Sequence, residues 1–169
     1  QHGASAVGGL ASPHATLEEL YLLQKLLRGL GSDNVDFRLR QQDFRADSVR
    51  DGAPWLGMPL NEIGSLDRLL VVGSFLRKDT PLLAQRVRQA AKRGLKVNVL
   101  HATADNWLLP VANRATVAPS QMVAALSQVL FALAAAKGVE VVGALASIRP
   151  EEISAEARAI GESLASGNK

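Results

Sequence analysis

LLVVGSFLRKDTPLLAQRVRQAAKRGLKVNVLHATADNW, residues 69–107, reads as strand, turn, helix, strand. Its opening LLVV is a continuous apolar run, the pattern of a parallel strand covered on both faces. Gly73 stands where that strand gives way to the turn. Thr80 followed by Pro81 fits an N-cap and first-turn pair. Leu83, Val87, Ala90 and Ala91 share one face of the helix that follows. Arg86, Arg88, Lys92 and Arg93 crowd its C-terminal half, where positive charge suits the helix dipole. Gly94 ends the helix and LKVNVL is the next strand. A right-handed crossover makes the two strands parallel. The implied class is α/β: an open, mostly parallel, doubly wound Rossmann-like sheet with flanking helices.

The flanking sequence extends this unit. TLEELYLLQKLLRGLG opens on Thr16 with Glu19 three residues on, the spacing of a capping box. Leu20, Leu23, Leu27 and Leu30 form its apolar stripe, and Gly31 can close it in the left-handed conformation. AVGGLAS before it is the end of a strand, and VDFRL after it a short one. Residues 46–66 read as an irregular loop rich in Gly and Pro, with Trp55 in its middle. Residues 102–119 read as a second loop. A helix over 120–137 follows, with Ser120 as its cap and Gly138 as its stop. Its run MVAALSQVLFALAAAKG is shorter than the ~20 apolar residues of a membrane span, so a buried helix is expected. VEVV, from Val139, is a weak strand candidate. Ile153, Ala157, Ile160 and Leu164 repeat at near-helical spacing. The expected organisation is one domain over 1–169. It comprises a strand-helix-strand segment (1–45), the loop (46–66), a βαβα unit (67–138) and an extension ending in a helix (139–169). The closing SGNK has the composition of a turn with no strand after it, so a fragment of a longer protein is expected.

Composition agrees with layered packing. The chain has 169 residues, 47% of them hydrophobic and only 4% aromatic, so Leu, Val, Ile and Ala must build the core. Net charge is +3, spread along the chain, and aromatics for stacking on bases are few; no nucleic-acid partner is expected. The absence of cysteine excludes disulfides, thiolate catalysis and Cys-held metal or iron–sulfur centres in this chain.

Candidate sites are few. The turn GSFLRKDT has one glycine, not the two or three of a dinucleotide loop, and lacks the Gly-Lys-Ser/Thr of a P-loop. A helix N-terminus can still attract an anion. Two readings stand side by side: a glycine turn that packs strand closely on helix, or a phosphate site. His2, His14 and His101 show no metal spacing. His101 ends a strand, where open α/β sheets place ligands, and Asp105 is near enough for a polar pair. The mixed charges of RLRQQDFRADSVRD suit a solvated loop or an interface rim. Trp55 and Trp107 fall in loops, as anchors against a neighbouring surface. No spacing supports a catalytic constellation or a metal site.

Thr16, Glu18, Glu19, Tyr21, Gly31, Asn34, Asp36 and Arg38 or Arg40 together resemble a segment of the molybdopterin-dependent oxidoreductases. There a Thr-x-Glu-Glu-x-Tyr helix precedes Gly-x-x-Asn-x-Asp and an Arg. The stretch from Leu69 resembles the βαβ unit that follows, with Gly73, Ser74 and Pro81 in register. The resemblance covers about residues 10–130. It is nearest to the branch formed by the large iron–sulfur subunit of bacterial respiratory complex I, whose members are thought to use no molybdenum cofactor. Three departures carry that reading. Gln41, Gln42 and Asp43 follow Arg40, where molybdenum enzymes place a metal ligand. Phe75 and Leu76 replace an Asn-Pro, and His101, Ala102 and Thr103 replace an Asp-Pro-Arg.

The resemblance implies a scaffold domain with no catalytic residue and no cofactor of its own. Gly73, Ser74, Phe75 and His101 would line a vestigial pocket. Trp55, Trp107, Arg86 and Arg93 would be partner contacts. Iron–sulfur clusters and FMN would lie elsewhere in the parent complex. Partners would be the rest of the same subunit and neighbouring complex I subunits, on the cytoplasmic side of the bacterial inner membrane without insertion. The alternatives are a divergent molybdopterin enzyme fragment, or a module for a small anion or nucleotide.

Overall fold

A computed structural model of the chain describes residues 2–37, 52 and 55–168. The chain divides into two compact units, residues 1–53 and 54–169. In the first, strand β1 (Gly9–Leu10) pairs in parallel with β2 (Val35–Asp36), and helix α1 (Leu17–Gly29) connects them. Both halves of the capping box form: Thr16 N–H donates to Glu19 Oε2 at 2.8 Å, and Glu19 N–H to Thr16 Oγ1 at 3.2 Å. At the other end Gly31 adopts φ 83°, Ser32 N–H donates to Leu27 O and Gly31 N–H to Arg28 O. That pair of bonds satisfies two carbonyls the last turn would otherwise leave open. Leu27 is buried directly over Gly9, where a Cβ would stand 2.1 Å from Leu27 Cδ1.

The second unit is a three-layer sandwich around a parallel sheet of order β3-β4-β5. Its strands are β3 (Arg68–Val72), β4 (Lys96–His101) and β5 (Asn113–Thr116). A single turn, α2 (Leu76–Asp79), and helix α3 (Pro81–Lys92) lead from β3 to β4; α4 (Met122–Lys137) and α5 (Ala155–Ala165) follow β5. Val71, Val97 and Val99 point to one face, against Val87 and Ala90 of α3 and Ile63 of a 3-10 turn over Leu60–Ser65. Leu100 and Ala115 point to the other, against Ala125 and Val129 of α4 and Ala157 and Ile160 of α5. The central strand β4 is therefore sealed on both sides: Val97, Asn98, Val99 and Leu100 are each 0% exposed. Burial of each apolar member contributes ~1.5–3 kcal/mol. Buried Asn98 donates to Leu69 O at 3.3 Å and accepts from Asn113 Nδ2 at 2.8 Å. Asn98 and Asn113 are direct partners in the β4–β5 register, so this side-chain bond helps fix how β5 docks.

Several elements differ from expectation. β5 lies inside the stretch read as a loop, and VEVV is not a strand: Val139 and Val142 are exposed in the segment after α4. Ser120 does not cap α4, which starts after a 3-10 turn over Pro119–Gln121 without a side-chain cap bond. Thr80 makes no cap bond either; Pro81 alone marks the start of α3. α4 is not wholly buried, because Val123 is exposed while Val129 and Ala132 on its other side are enclosed. With the preceding turn it is long and apolar enough to cross a membrane by composition, yet it forms one layer of this unit by packing on α5. The segment 139–169 ends in helix α5 as its spacing implied, and α5 supplies Ala157 and Ile160 to the core. Ser154 Oγ caps α5 by accepting from Ala157 N–H at 3.2 Å. Of the 46–66 loop, Leu60–Ser65 forms the 3-10 turn, and residues 46–51, 53 and 54 lie outside the described residues.

Candidate functional site

Parallel α/β sheets place ligands at the carboxyl ends of their strands. Here β3 and β4 deliver Gly73 and His101 to that edge, and Gly73 N–H donates to Leu100 O at 3.0 Å. Gly73 has φ 65°, and a Cβ built on it would meet nothing within 4 Å. The glycine is required by backbone conformation, not by the close packing of strand on helix that the sequence suggested.

The next residues turn inward on themselves. Asp79, the last residue of α2, folds back so that Oδ2 accepts from Phe75 N–H at 2.7 Å and from Ser74 Oγ–H at 3.0 Å. These are the side-chain and backbone donors that an anion at this turn would compete for. The turn therefore already holds an anion, and it is a carboxylate of the chain itself. A phosphate placed against the same two donors would meet that negative charge. The turn as folded does not fit the phosphate end of a nucleotide or pterin cofactor.

Phe75 closes the space beside it. Its ring centroid is 6.2 Å from His101 and 5.8 Å from Trp107, the latter edge-on at 84°. His101 and Trp107 meet at 5.8 Å and 87°. Edge-to-face contacts of this kind are favourable beyond simple burial. The Arg77 guanidinium and Lys78 ammonium lie 5.2 and 5.3 Å from the Phe75 ring centre, so the surface over the triad is cationic. His101 Nδ1 accepts from Thr103 N–H at 3.1 Å and lies 3.0 Å from Thr103 Oγ1. Thr103 Oγ1 donates to Asp105 Oδ2 at 2.9 Å. His101 and Asp105 are thus joined through Thr103, not paired directly. Among the described residues no three metal-ligating side chains gather.

The four pocket candidates, Gly73, Ser74, Phe75 and His101, do come together. Trp107 corrects the expectation of an exposed anchor: it is 4% exposed and belongs to the core beside Val99 and Leu76. Its loop runs back across the strand ends, and the ring fills the space over Phe75 and His101. Its indole Nε1–H is buried with no partner among the described residues. Trp55 is 75% exposed, and Arg86 and Arg93 are exposed on α3. Sequence reasoning missed Asp79, although its position four residues after Phe75 and in a short helical segment is a readable signal. Gln41, Gln42 and Asp43, with Arg38 and Arg40, lie outside the described residues. Several of the described motif residues serve the fold. Thr16 and Glu19 cap α1, and Asn34 Nδ2 donates to Ser5 O at 2.8 Å.

Comparison with known proteins places this architecture. A family model for molybdopterin oxidoreductases matches residues 1–137. The chain belongs to the molybdopterin oxidoreductase family. It is 34% identical over 116 residues to the alpha subunit of the NADPH-Fe(3+) oxidoreductase of Geobacter sulfurreducens, covering 66% of this chain and 14% of that protein. It is 35% identical over 102 residues to a probable oxidoreductase, YjgC, of Bacillus subtilis, covering 57% of this chain and 10% of the relative. The G subunit of the NADH-quinone oxidoreductase of Rickettsia felis matches at 28% over 92 residues, 54% of this chain and 13% of the relative. The chain thus spans about a seventh, or less, of the proteins it resembles. The match to this family stops at Lys137, ahead of α5, which nonetheless completes the core of the second unit.

Proposed function

We propose that this chain is a cofactor-free structural domain of the large iron–sulfur subunit of an NADH-quinone oxidoreductase. The observation that carries the proposal is the Asp79 carboxylate, which takes the Ser74 and Phe75 donors just past the carboxyl end of β3, where parallel α/β sheets place ligands. The Phe75–His101–Trp107 cluster supports it by filling the adjoining space with the chain's own side chains. In this reading the domain braces the peripheral arm of an electron-transfer complex. Iron–sulfur clusters and FMN lie in other parts of that complex. The chain contacts the rest of its own subunit and neighbouring subunits, at the cytoplasmic face of the bacterial inner membrane, without entering the bilayer.

A second reading has a specific observation in its favour. The identity to the NADPH-Fe(3+) oxidoreductase of Geobacter sulfurreducens is 34%, against 28% for the Rickettsia felis protein. The parent would then be a different NAD(P)H-linked oxidoreductase, with this domain in the same supporting role. Metal and pterin analysis of the purified chain tests what the two share. The expected result is substoichiometric molybdenum, iron and pterin. One equivalent of any of them retained through gel filtration would overturn the proposal.

A further inference from the structure

α3 is a twelve-residue helix without an acidic residue. Its surface carries Arg86, Arg88 and Lys92, with Arg93 at its end. Arg86 and Arg93 are seven residues apart, which puts them on one face about 10 Å from each other along the axis. They bracket a cleft of about 200 Å³ between α3 and the 3-10 turn, lined also by Leu60, Asn61, Gly64, Gln85 and Gln89. Gly64 makes room for one wall: a Cβ there would stand 3.1 Å from Arg93 Nη2. Among the described residues no carboxylate pairs with either guanidinium.

We propose that this cleft is a docking surface for an acidic helical segment of a partner protein, with two carboxylates seven residues apart, one on Arg86 and one on Arg93. The inference rests on the reading of the chain as one piece of a larger assembly and names the chemistry of one contact. Guanidinium forks match carboxylates in a bidentate geometry. Asn61, Gln85 and Gln89 offer amides that donate and accept, which suits the polar groups of a peptide. The cleft has no aromatic ring on which a base could stack, and the net charge is only +3, so nucleic acid is a poorer complement.

The test is an amide and Arg Nε NMR titration of the full 169-residue chain with a synthetic alanine-rich helical peptide. That peptide carries glutamates at positions i and i+7. Three control peptides carry glutamates at i and i+5, two glutamines, or scrambled charge. The expected result is saturable shifts confined to Asn61, Gly64, Gln85, Gln89 and the two arginines, for the i and i+7 peptide alone. Exposed ion pairs contribute ~0.2–1 kcal/mol each, so Arg86→Gln with Arg93→Gln should weaken binding roughly 2- to 25-fold. The double lysine variant should recover part of that loss, because it keeps charge but not the fork. Equal binding of the i and i+7 and diglutamine peptides would overturn the inference, as would an unchanged Kd in the double glutamine variant. So would tighter arginine-dependent binding of a dT12 oligonucleotide or of phosphatidylglycerol vesicles. Metal and pterin content is measured on the same sample. A cofactor-free chain that ignores the peptide refutes the docking surface alone; a cofactor-loaded chain refutes the scaffold reading whatever the peptide does.

Discussion

Asp79→Ala removes the anion that closes the turn after β3. The lost interactions are the 2.7 Å bond from Phe75 N–H and the 3.0 Å bond from Ser74 Oγ–H. A hydrogen bond to a charged group contributes ~1.5–3 kcal/mol when sheltered, but both of these are exposed and water replaces part of that. Phe75 is the N-cap residue of α2, so the carboxylate bound to its N–H acts much as a cap does. Losing a cap costs ~0.5–2 kcal/mol. The two routes meet at about 1.5 kcal/mol, which for a unit of this size lowers Tm by roughly 5 °C. Urea unfolding followed by Trp107 fluorescence in a Trp55→Phe background measures it, since Trp107 sits in contact with Phe75. Asp79→Asn keeps one acceptor and should lose about half as much. Thermal scans with phosphate or nucleotide supply the second arm: wild type should be indifferent to both. If Asp79→Ala is as stable as wild type, the carboxylate does not close the turn. If phosphate stabilises wild type, the turn still accepts an external anion. Either result refutes the reasoning.

Trp107→Ala should cost ~3–5 kcal/mol by circular dichroism in urea, because it empties the space over Phe75 and His101. Trp107→Phe should cost under ~1.5 kcal/mol, because loss of ring volume is offset by removal of a buried Nε1–H that has no partner among the described residues. Gly161→Ala should destabilise by ~3 kcal/mol or more in calorimetry. Its Cβ would lie 2.6 Å from Ala132 Cβ and 2.7 Å from the Leu133 backbone nitrogen, so α5 would have to lift from α4.

What can be read from the sequence is whatever local chemistry determines. The capping box at Thr16 and Glu19, the Gly31 closure and the apolar strands around α3 depend on residues close in the chain, and all form. β5 is invisible to periodicity because Asn113, Arg114 and Thr116 are polar and only Ala115 is buried. Its place is held by Asn113 bonding Asn98, a contact across fifteen residues that no periodicity encodes. VEVV fails in the opposite sense: its residues suit a strand, yet no described strand pairs with it, although β3 and β5 are both edges of the sheet. A surface position is the natural expectation for Trp107 because its neighbours are loop residues. The loop lies across the strand ends, and a ring that large is drawn to the nearest apolar gap.

The family resemblance separates into two kinds of residue with different physical obligations. Thr16, Glu19, Gly31 and Gly73 meet needs of the backbone that exist with or without a ligand: free N–H groups at a helix start, and a positive φ at a turn. A ligand-facing donor is different, because without its ligand it needs another partner or, if buried, costs ~1–3 kcal/mol. On the proposed reading the donors of the turn have found one: Asp79 serves Ser74 and Phe75. It lies within five residues of both, so the turn can adjust without disturbing the sheet beneath it. The exception is Trp107 Nε1, and it marks the place where the adjustment is incomplete. That is why the Trp107→Phe measurement carries weight beyond stability. If removing the indole N–H costs more than the lost ring volume accounts for, the group is satisfied in solution and the account of an incomplete adjustment is refuted.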